Sequence, residues 1–110
     1  MSKTINQWAK ECWQTSEDHG FHGEGDATVP KIVANLHGEI SELWEAWRKD
    51  ELNFACNKPI DLNCAEEELA DIVIRAFDAA EQLGVDIERA IEIKNEYNKN
   101  RSWRHGGKKA

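Results

Sequence analysis

The chain has 110 residues, of which 40% are hydrophobic and 32% charged, a length and mixture that predict one globular domain spanning residues 1–110. Its formal net charge of -7 disfavours binding to a nucleic acid polymer or to an anionic membrane. The three cysteines lack CxxC spacing, and no signal-peptide or membrane-spanning run is present, so we expect a cytoplasmic protein without a disulfide framework or zinc site.

Helical periodicity dominates the sequence and predicts an all-α fold. Only two prolines interrupt the long stretches of good helix formers. Apolar residues recur at helical spacing, which predicts four helices, at about residues 4–18, 29–49, 64–83 and 87–100. The remaining residues, 101–110, form a basic tail that contains glycine.

Helix boundaries are marked by capping residues. Thr28 precedes a proline in the first turn of the second helix, which makes it a predicted N-cap. Asn63 and Glu66 have the spacing of a capping box at the start of the third helix. Gly84 fits the position just beyond the end of that helix, and Asp86 is the predicted N-cap of the fourth.

Between the first two helices, residues 19–27 hold three glycines and no sustained periodicity. Two interpretations stay open: a loop that folds over a ligand, or a simple connector. The histidines in the predicted loops are expected to be ordinary solvated side chains: His19, His22 and His105.

Two acidic pairs lie beside apolar stripes of the second and third helices, namely Glu39 with Glu42, and Glu68 with Asp71. Residues three apart on a helix are neighbours, so each pair can direct two carboxylates at one point. One such pair alone is more often a solvated face. Two pairs on different helices favour a cation, because like charges about 4 Å apart repel by about 4 kcal/mol at an effective dielectric of 20. All-oxygen ligands predict Mg²⁺, with Mn²⁺ as a substitute.

A di-iron carboxylate bundle is the competing metal site. That site uses Glu-x-x-His on two helices, and neither acidic pair here is followed by histidine at that spacing. His37 lies two residues before Glu39 and therefore points away from it on a helix. The redox interpretation is weaker accordingly.

Cationic residues for a phosphate substrate are available on the fourth helix and in the tail. Mg²⁺ held by protein carboxylates commonly takes substrate phosphates as further ligands. The residues predicted to contact the phosphates lie roughly on one helical face and then in the tail: Lys94, Asn98, Arg101, Arg104 and Lys108. The alternative is a polar helix end whose cations complement the helix dipole.

Three segments resemble the MazG-like all-α nucleoside triphosphate pyrophosphatase superfamily, in its small stand-alone form: residues 38–43 (GEISEL), 67–72 (EELADI) and 94–101 (KNEYNKNR). The resemblance implies that Glu39, Glu42, Glu68 and Asp71 bind Mg²⁺. It also implies hydrolysis of an NTP or dNTP to the monophosphate and pyrophosphate, as nucleotide-pool house-cleaning. The implied assembly is a four-helix bundle completed between subunits, as a homodimer or homotetramer.

Two further roles follow from this interpretation. Glu42 or its neighbour Glu45 is expected to orient the attacking water. An aromatic side chain is expected to stack on the base, and Phe21, Trp47 or Trp8 are suitable, although core packing is an alternative role for each.

Two rival functions remain at this point. The chain could be a non-catalytic helical module that binds a nucleotide or a protein, or a structural helical oligomer whose acidic pairs are solvated.

Overall fold

The computed structural model describes residues 2–23 and 28–101, and these residues form four helices. The helices are α1 (Ile5–Asp18), α2 (Val29–Arg48), α3 (Cys64–Gln82) and α4 (Ile87–Asn100). The described part of the chain contains no strand, only an isolated antiparallel bridge between Ala55 and Asn63. The predicted all-α class is confirmed, and each helix end agrees with its prediction to within one residue. None of the helices in the described ranges is long and apolar enough to cross a membrane.

The helix ends confirm the predicted caps. The Asn63 side chain accepts from the Glu66 backbone N–H at 2.8 Å, and the Glu66 carboxylate accepts from the Asn63 N–H at 2.9 Å. Gly84 adopts a φ of +69°, a left-handed conformation that glycine reaches without a Cβ clash. Asp86 accepts from the Arg89 N–H at 3.1 Å and starts α4. Local chemistry thus sets where α3 ends and α4 begins.

Helix α3 lies at the centre of the packing, with α1 and α2 both against it, and α4 packs against α1. The buried apolar residues are few and mostly small: Ala9, Ile32, Cys56, Ala79 and Ala80. Small side chains allow close approach of the helices but remove little apolar surface from water.

Much of the apolar stripe on α2 and α3 stays exposed in the single chain. Leu69 is 53% exposed, and Val73 and Ile40 are also exposed. Buried positions of α3 include two acids instead, Glu67 and Asp78. The faces that α3 turns toward its neighbours are therefore partly polar, and the centre of its apolar stripe is left uncovered.

Helix α4 is joined to α1 by hydrogen bonds at its first turn. The Asn6 side chain donates to Asp86 at 2.9 Å and accepts from the Glu88 N–H at 3.1 Å. No α4 residue is buried. The helix is thus anchored at its N-terminal end, and its apolar side chains are open to solvent.

Candidate metal centre

Helices α2 and α3 bring four carboxylates together at their interface. Glu39 and Glu42 are one turn apart on α2, and Glu68 and Asp71 are one turn apart on α3. One carboxylate oxygen from each residue lies within 4.8 Å of the other three. We call these four residues the carboxylate cluster. The predicted convergence of the two acidic pairs is confirmed.

Two oxygens of the cluster are buried without a hydrogen-bond partner among the described residues. They are Oε2 of Glu39 and Oε2 of Glu68. Glu39 uses its other oxygen to accept from Arg75 Nε at 3.3 Å. A buried acceptor left without a partner costs about 1–3 kcal/mol, more when it is charged. The cluster therefore has unused capacity for a positively charged ligand.

Electrostatics within the cluster disfavour its fully ionised form. The pKa of Glu68 is raised from 4.5 to about 7. Burial is the largest cause, and the charge of Glu42, a hydrogen bond with Glu42 and the charges of Asp71 and Glu67 act in the same direction. Glu68 is thus about half protonated near neutral pH when no cation is bound.

Asp71 shows the same effect more weakly. Burial raises its pKa first, and the negative charges of Glu39 and Glu67 add to the rise. The positive charges of Lys58 and Arg75 act in the opposite direction. A bound cation would remove the repulsion that both acids experience.

The donor set fits a hard divalent cation. All four donors are carboxylate oxygens, which suit Mg²⁺ or Mn²⁺. Ligands on opposite sides of Mg²⁺ are about 4.2 Å apart, twice its usual bond length of about 2.1 Å. The observed limit of 4.8 Å is close to this value, so small side-chain rotations suffice to enclose the ion.

Two clefts flank the carboxylate cluster. The first, of about 520 Å³, lies beside the loop that connects α2 to α3, and we call it the loop-side cleft. The second, of about 490 Å³, we call the Phe21 cleft. Glu42 and Lys58 line both clefts. Each volume is in the range of small-molecule sites, so a ligand of nucleotide size can lie against the carboxylates.

Some of the residues predicted to act on water or on the base line the two clefts, and others do not. Glu45 lines the loop-side cleft, and its carboxylate pairs with Arg48 at 3.3 Å. Phe21 lines its cleft beside Glu39 and Asp71. Of the predicted aromatic residues, Phe21 is therefore the one that the structure places next to the carboxylates.

The two predicted tryptophans lie elsewhere. Trp47 stacks on Trp44 with ring centroids 5.0 Å apart, and Trp8 lies beneath Lys3 Nζ at 4.5 Å. Neither tryptophan lines either cleft.

The predicted phosphate contacts on α4 are not brought to the cluster by any contact that the structure shows. Lys94 Nζ lies 4.7 Å from the centre of the Tyr97 ring, and Arg101 donates to Asn98 at 3.4 Å. These contacts are all within α4 and the residue that follows it, Arg101. Arg104 and Lys108 lie outside the described residues. The phosphate-binding role of these five residues stays a prediction.

Helical periodicity in the sequence does not identify two residues of the site, Lys58 and Glu67. Lys58, in the connecting loop, places its Nζ 2.9 Å from Oε2 of Glu67, which is buried. The hydrogen bond to Glu67 is the main cause of the raised pKa of Lys58. Glu67 belongs to an acidic run at the start of α3, where a solvated face is the default expectation.

The expectation that His22 is a solvated side chain is wrong. Its Nδ1 lies 2.8 Å from Glu17 and its Nε2 lies 2.8 Å from Asp78, and the ring stacks on Trp13. The loop after α1 is therefore tied to α3. Asp78 is buried, and a buried carboxylate requires a partner.

No family model, curated protein or solved structure matches this chain. The geometry of the carboxylate cluster is therefore the main support for a functional assignment.

Proposed function

We propose that the chain is a Mg²⁺-dependent nucleoside triphosphate pyrophosphohydrolase, which converts an NTP or dNTP to the monophosphate and pyrophosphate. The observation that carries the proposal is the convergence of four carboxylates, two of which have buried oxygens with no partner among the described residues. Such an arrangement is unfavourable unless a cation joins it. The resemblance of the two acidic motifs to MazG-like enzymes supplies the reaction type.

In this proposal Glu39, Glu42, Glu68 and Asp71 hold the ion. When bound, Mg²⁺ supplies charge neutralisation for the triphosphate and increases the acidity of a nearby water. The water attacks the α-phosphorus, the bond between that phosphorus and the bridging oxygen breaks, and pyrophosphate leaves. Glu45, which lines the loop-side cleft, orients the water and accepts its proton.

The clefts suggest how the rest of the substrate is held. Phe21 forms one wall of its cleft, where a base can stack on the ring. Lys94, Asn98 and Arg101 of α4 are assigned to the outer phosphates. Removal of surplus or unwanted nucleotides is the role that this chemistry would serve.

We further propose that the enzyme is a homodimer or homotetramer. Trp44, Leu69 and Tyr97 are each more than half exposed, and they belong to three different helices. Exposed apolar surface of this kind marks interaction sites in soluble proteins. A second copy of the chain would cover it and complete a four-helix bundle around α2 and α3.

The reaction is tested with a panel of NTPs and dNTPs incubated with and without Mg²⁺, with monophosphate and pyrophosphate both quantified. In ¹⁸O-labelled water the label is expected in the monophosphate. Label in orthophosphate, with a diphosphate as co-product, would show attack at the γ-phosphorus and a different enzyme. Nucleotide binding without turnover would favour the non-catalytic module.

A pair of variants distinguishes the cluster from general charge effects. Glu42→Gln is expected to abolish turnover while helical content by circular dichroism stays unchanged. Glu92→Gln removes the same charge from the exposed face of α4 and is expected to retain wild-type activity. Turnover by the Glu42 variant at the wild-type rate would show that the cluster is not the catalytic centre.

A further inference from the structure

We propose that Lys58 contacts the phosphate chain of the substrate, and that Glu67 holds it in place for this purpose. The inference rests on the proposed function and deepens it, because it adds a cationic contact from the loop between α2 and α3 to those assigned to α4.

Position is the first observation. Among the described residues that line the two clefts, the cationic side chains are Lys49, Lys58 and Arg75, and Lys58 is the one that lines both clefts. Glu42, a member of the carboxylate cluster, is the other residue common to both. Lys58 therefore lies where a phosphate chain held against the carboxylates would pass.

The second observation concerns how the ammonium group is used. Lys58 Nζ is 2.9 Å from Glu67 Oε2, yet the lysine side chain is 57% exposed whereas that of Glu67 is 9% exposed. An ammonium has three N–H donors, and the contacts to Glu67 and to Asn57 Oδ1, the latter at 3.1 Å, leave one for a further acceptor. A buried carboxylate thus fixes the position of an ammonium that keeps one donor for a ligand in the clefts.

The neighbouring cations are less suited to this contact. Arg75 donates to Glu39 at 3.3 Å, and its guanidinium lies 5.3 Å from the centre of the Phe21 ring. Lys49 lines the loop-side cleft but not the Phe21 cleft. Phosphate recognition in proteins commonly uses a lysine as a point charge, and Lys58 supplies one beside the carboxylates.

A purely structural role is the competing explanation, because Glu67 is buried and needs a positive partner. The two roles are separable by removing both charges. Lys58→Ala alone leaves Glu67 unpaired and is expected to destabilise the chain. The double variant Lys58→Ala/Glu67→Gln removes the lysine and also the buried charge, so it is expected to recover stability without recovering phosphate binding.

The experiment measures binding of inorganic pyrophosphate to the full chain by titration calorimetry in MgCl₂, together with KM for the best nucleotide. The double variant is expected to bind pyrophosphate about tenfold more weakly, the loss typical of one hydrogen bond to a charged group. Its Mg²⁺-induced rise in melting temperature is expected to stay close to that of the wild type. Lys58→Arg keeps the charge and is expected to retain most of the affinity.

Lys31→Ala is the matched control, since it removes one positive charge from α2 at a residue that lines neither cleft. It is expected to bind pyrophosphate as the wild type does. Wild-type affinity in the double variant would overturn the inference and leave Lys58 as a structural partner of Glu67. If the wild type binds pyrophosphate through Lys58 but hydrolyses no nucleotide, the proposed function fails while the assignment of Lys58 stands.

Discussion

Replacing Glu68 by glutamine is expected to stabilise the protein without metal and to weaken its response to Mg²⁺. Glu68 has a pKa of about 7 in the folded chain against an ordinary 4.5. Between these two pH values the folded chain binds more protons than the unfolded chain. The free energy of unfolding of the wild type therefore falls as pH rises from about 4.5 to about 7, and this contribution is then constant at higher pH.

The size of the effect follows from the two pKa values. Their difference corresponds to at most about 3 kcal/mol between the protonated and ionised forms of Glu68. Glutamine cannot ionise, so the variant avoids the free-energy cost of ionising residue 68 in the folded chain at pH 8. At about 4 °C per kcal/mol for a domain of this size, the variant should melt up to about 12 °C above the wild type.

The assay is thermal unfolding followed by circular dichroism, in EDTA at pH 5 and pH 8 and again in MgCl₂ at pH 8. At pH 5 the two proteins should melt at similar temperatures, because Glu68 is then mostly protonated. In MgCl₂ at pH 8 the wild type should gain stability and the variant should gain much less.

Glu92→Gln serves as the control here too, since it makes the same change in net charge on the exposed face of α4. It should melt with the wild type under every condition. A Glu68→Gln protein that is less stable than the wild type at pH 8 in EDTA would refute the electrostatic reasoning. An equal Mg²⁺ response would refute the metal site.

Three further outcomes are expected. At a Mg²⁺ concentration about 100 times Kd, the free energy of unfolding of the wild type, measured by urea unfolding, should rise by about 2.7 kcal/mol. Asp71→Asn should lose most of this gain, and an undiminished gain would exclude Asp71 as a ligand. His22→Phe keeps an aromatic ring but removes the hydrogen-bond partner of buried Asp78, which should cost about 1–3 kcal/mol in the same assay; unchanged stability would show that this contact is not formed. Val73→Asp should convert the proposed oligomer to the 12.6 kDa monomer in sedimentation velocity. Ile60→Asp, at a residue that is also exposed but lies in the connecting loop, should not; equal masses for the two variants would place the interface elsewhere.

The helices could be predicted from the sequence because their signals are local. The capping box of Asn63 and Glu66 and the left-handed Gly84 each act within one turn of a helix end, so residue spacing alone identifies them. The carboxylate cluster was predictable for a related reason. Spacing of three residues places two carboxylates together on each helix, and only one further condition, that α2 and α3 be neighbours, was needed.

Contacts between distant residues gave no such signal. His22 and Asp78 are 56 positions apart, and nothing in the glycine-containing loop indicates that its histidine is buried against α3. Lys58 lies in the loop between α2 and α3, and hydrophobic periodicity does not predict the conformation of a loop. The acidic residue that it pairs with, Glu67, looks in sequence like its exposed neighbour Glu66.

The sequence pattern also did not predict which face of α3 is buried against its neighbours in the same chain. The apolar stripe around Leu69 and Val73 suggests the face that should be buried, yet both side chains are exposed and Glu67 and Asp78 are buried. Periodicity identifies a face that must leave water, but it does not say whether the same chain or a second copy covers it. The proposed subunit pairing resolves this difference without changing the fold of the chain.

The buried acids of α3 differ in what the chain supplies to them, and this difference supports the proposed function. Asp78 is paired with His22, and Glu67 is paired with Lys58. Within the described residues, Oε2 of Glu68 has no partner of either kind, and the pKa of that carboxyl is raised to about 7. Burying a carboxylate oxygen without a partner is unfavourable, and the contacts to His22 and Lys58 reduce this cost for two acids of α3. Among the described residues, none does the same for Oε2 of Glu68, which lies where α2 adds two more carboxylates. We therefore expect this oxygen to take its partner from outside the described part of the chain, and a divalent cation suits the four converging oxygens.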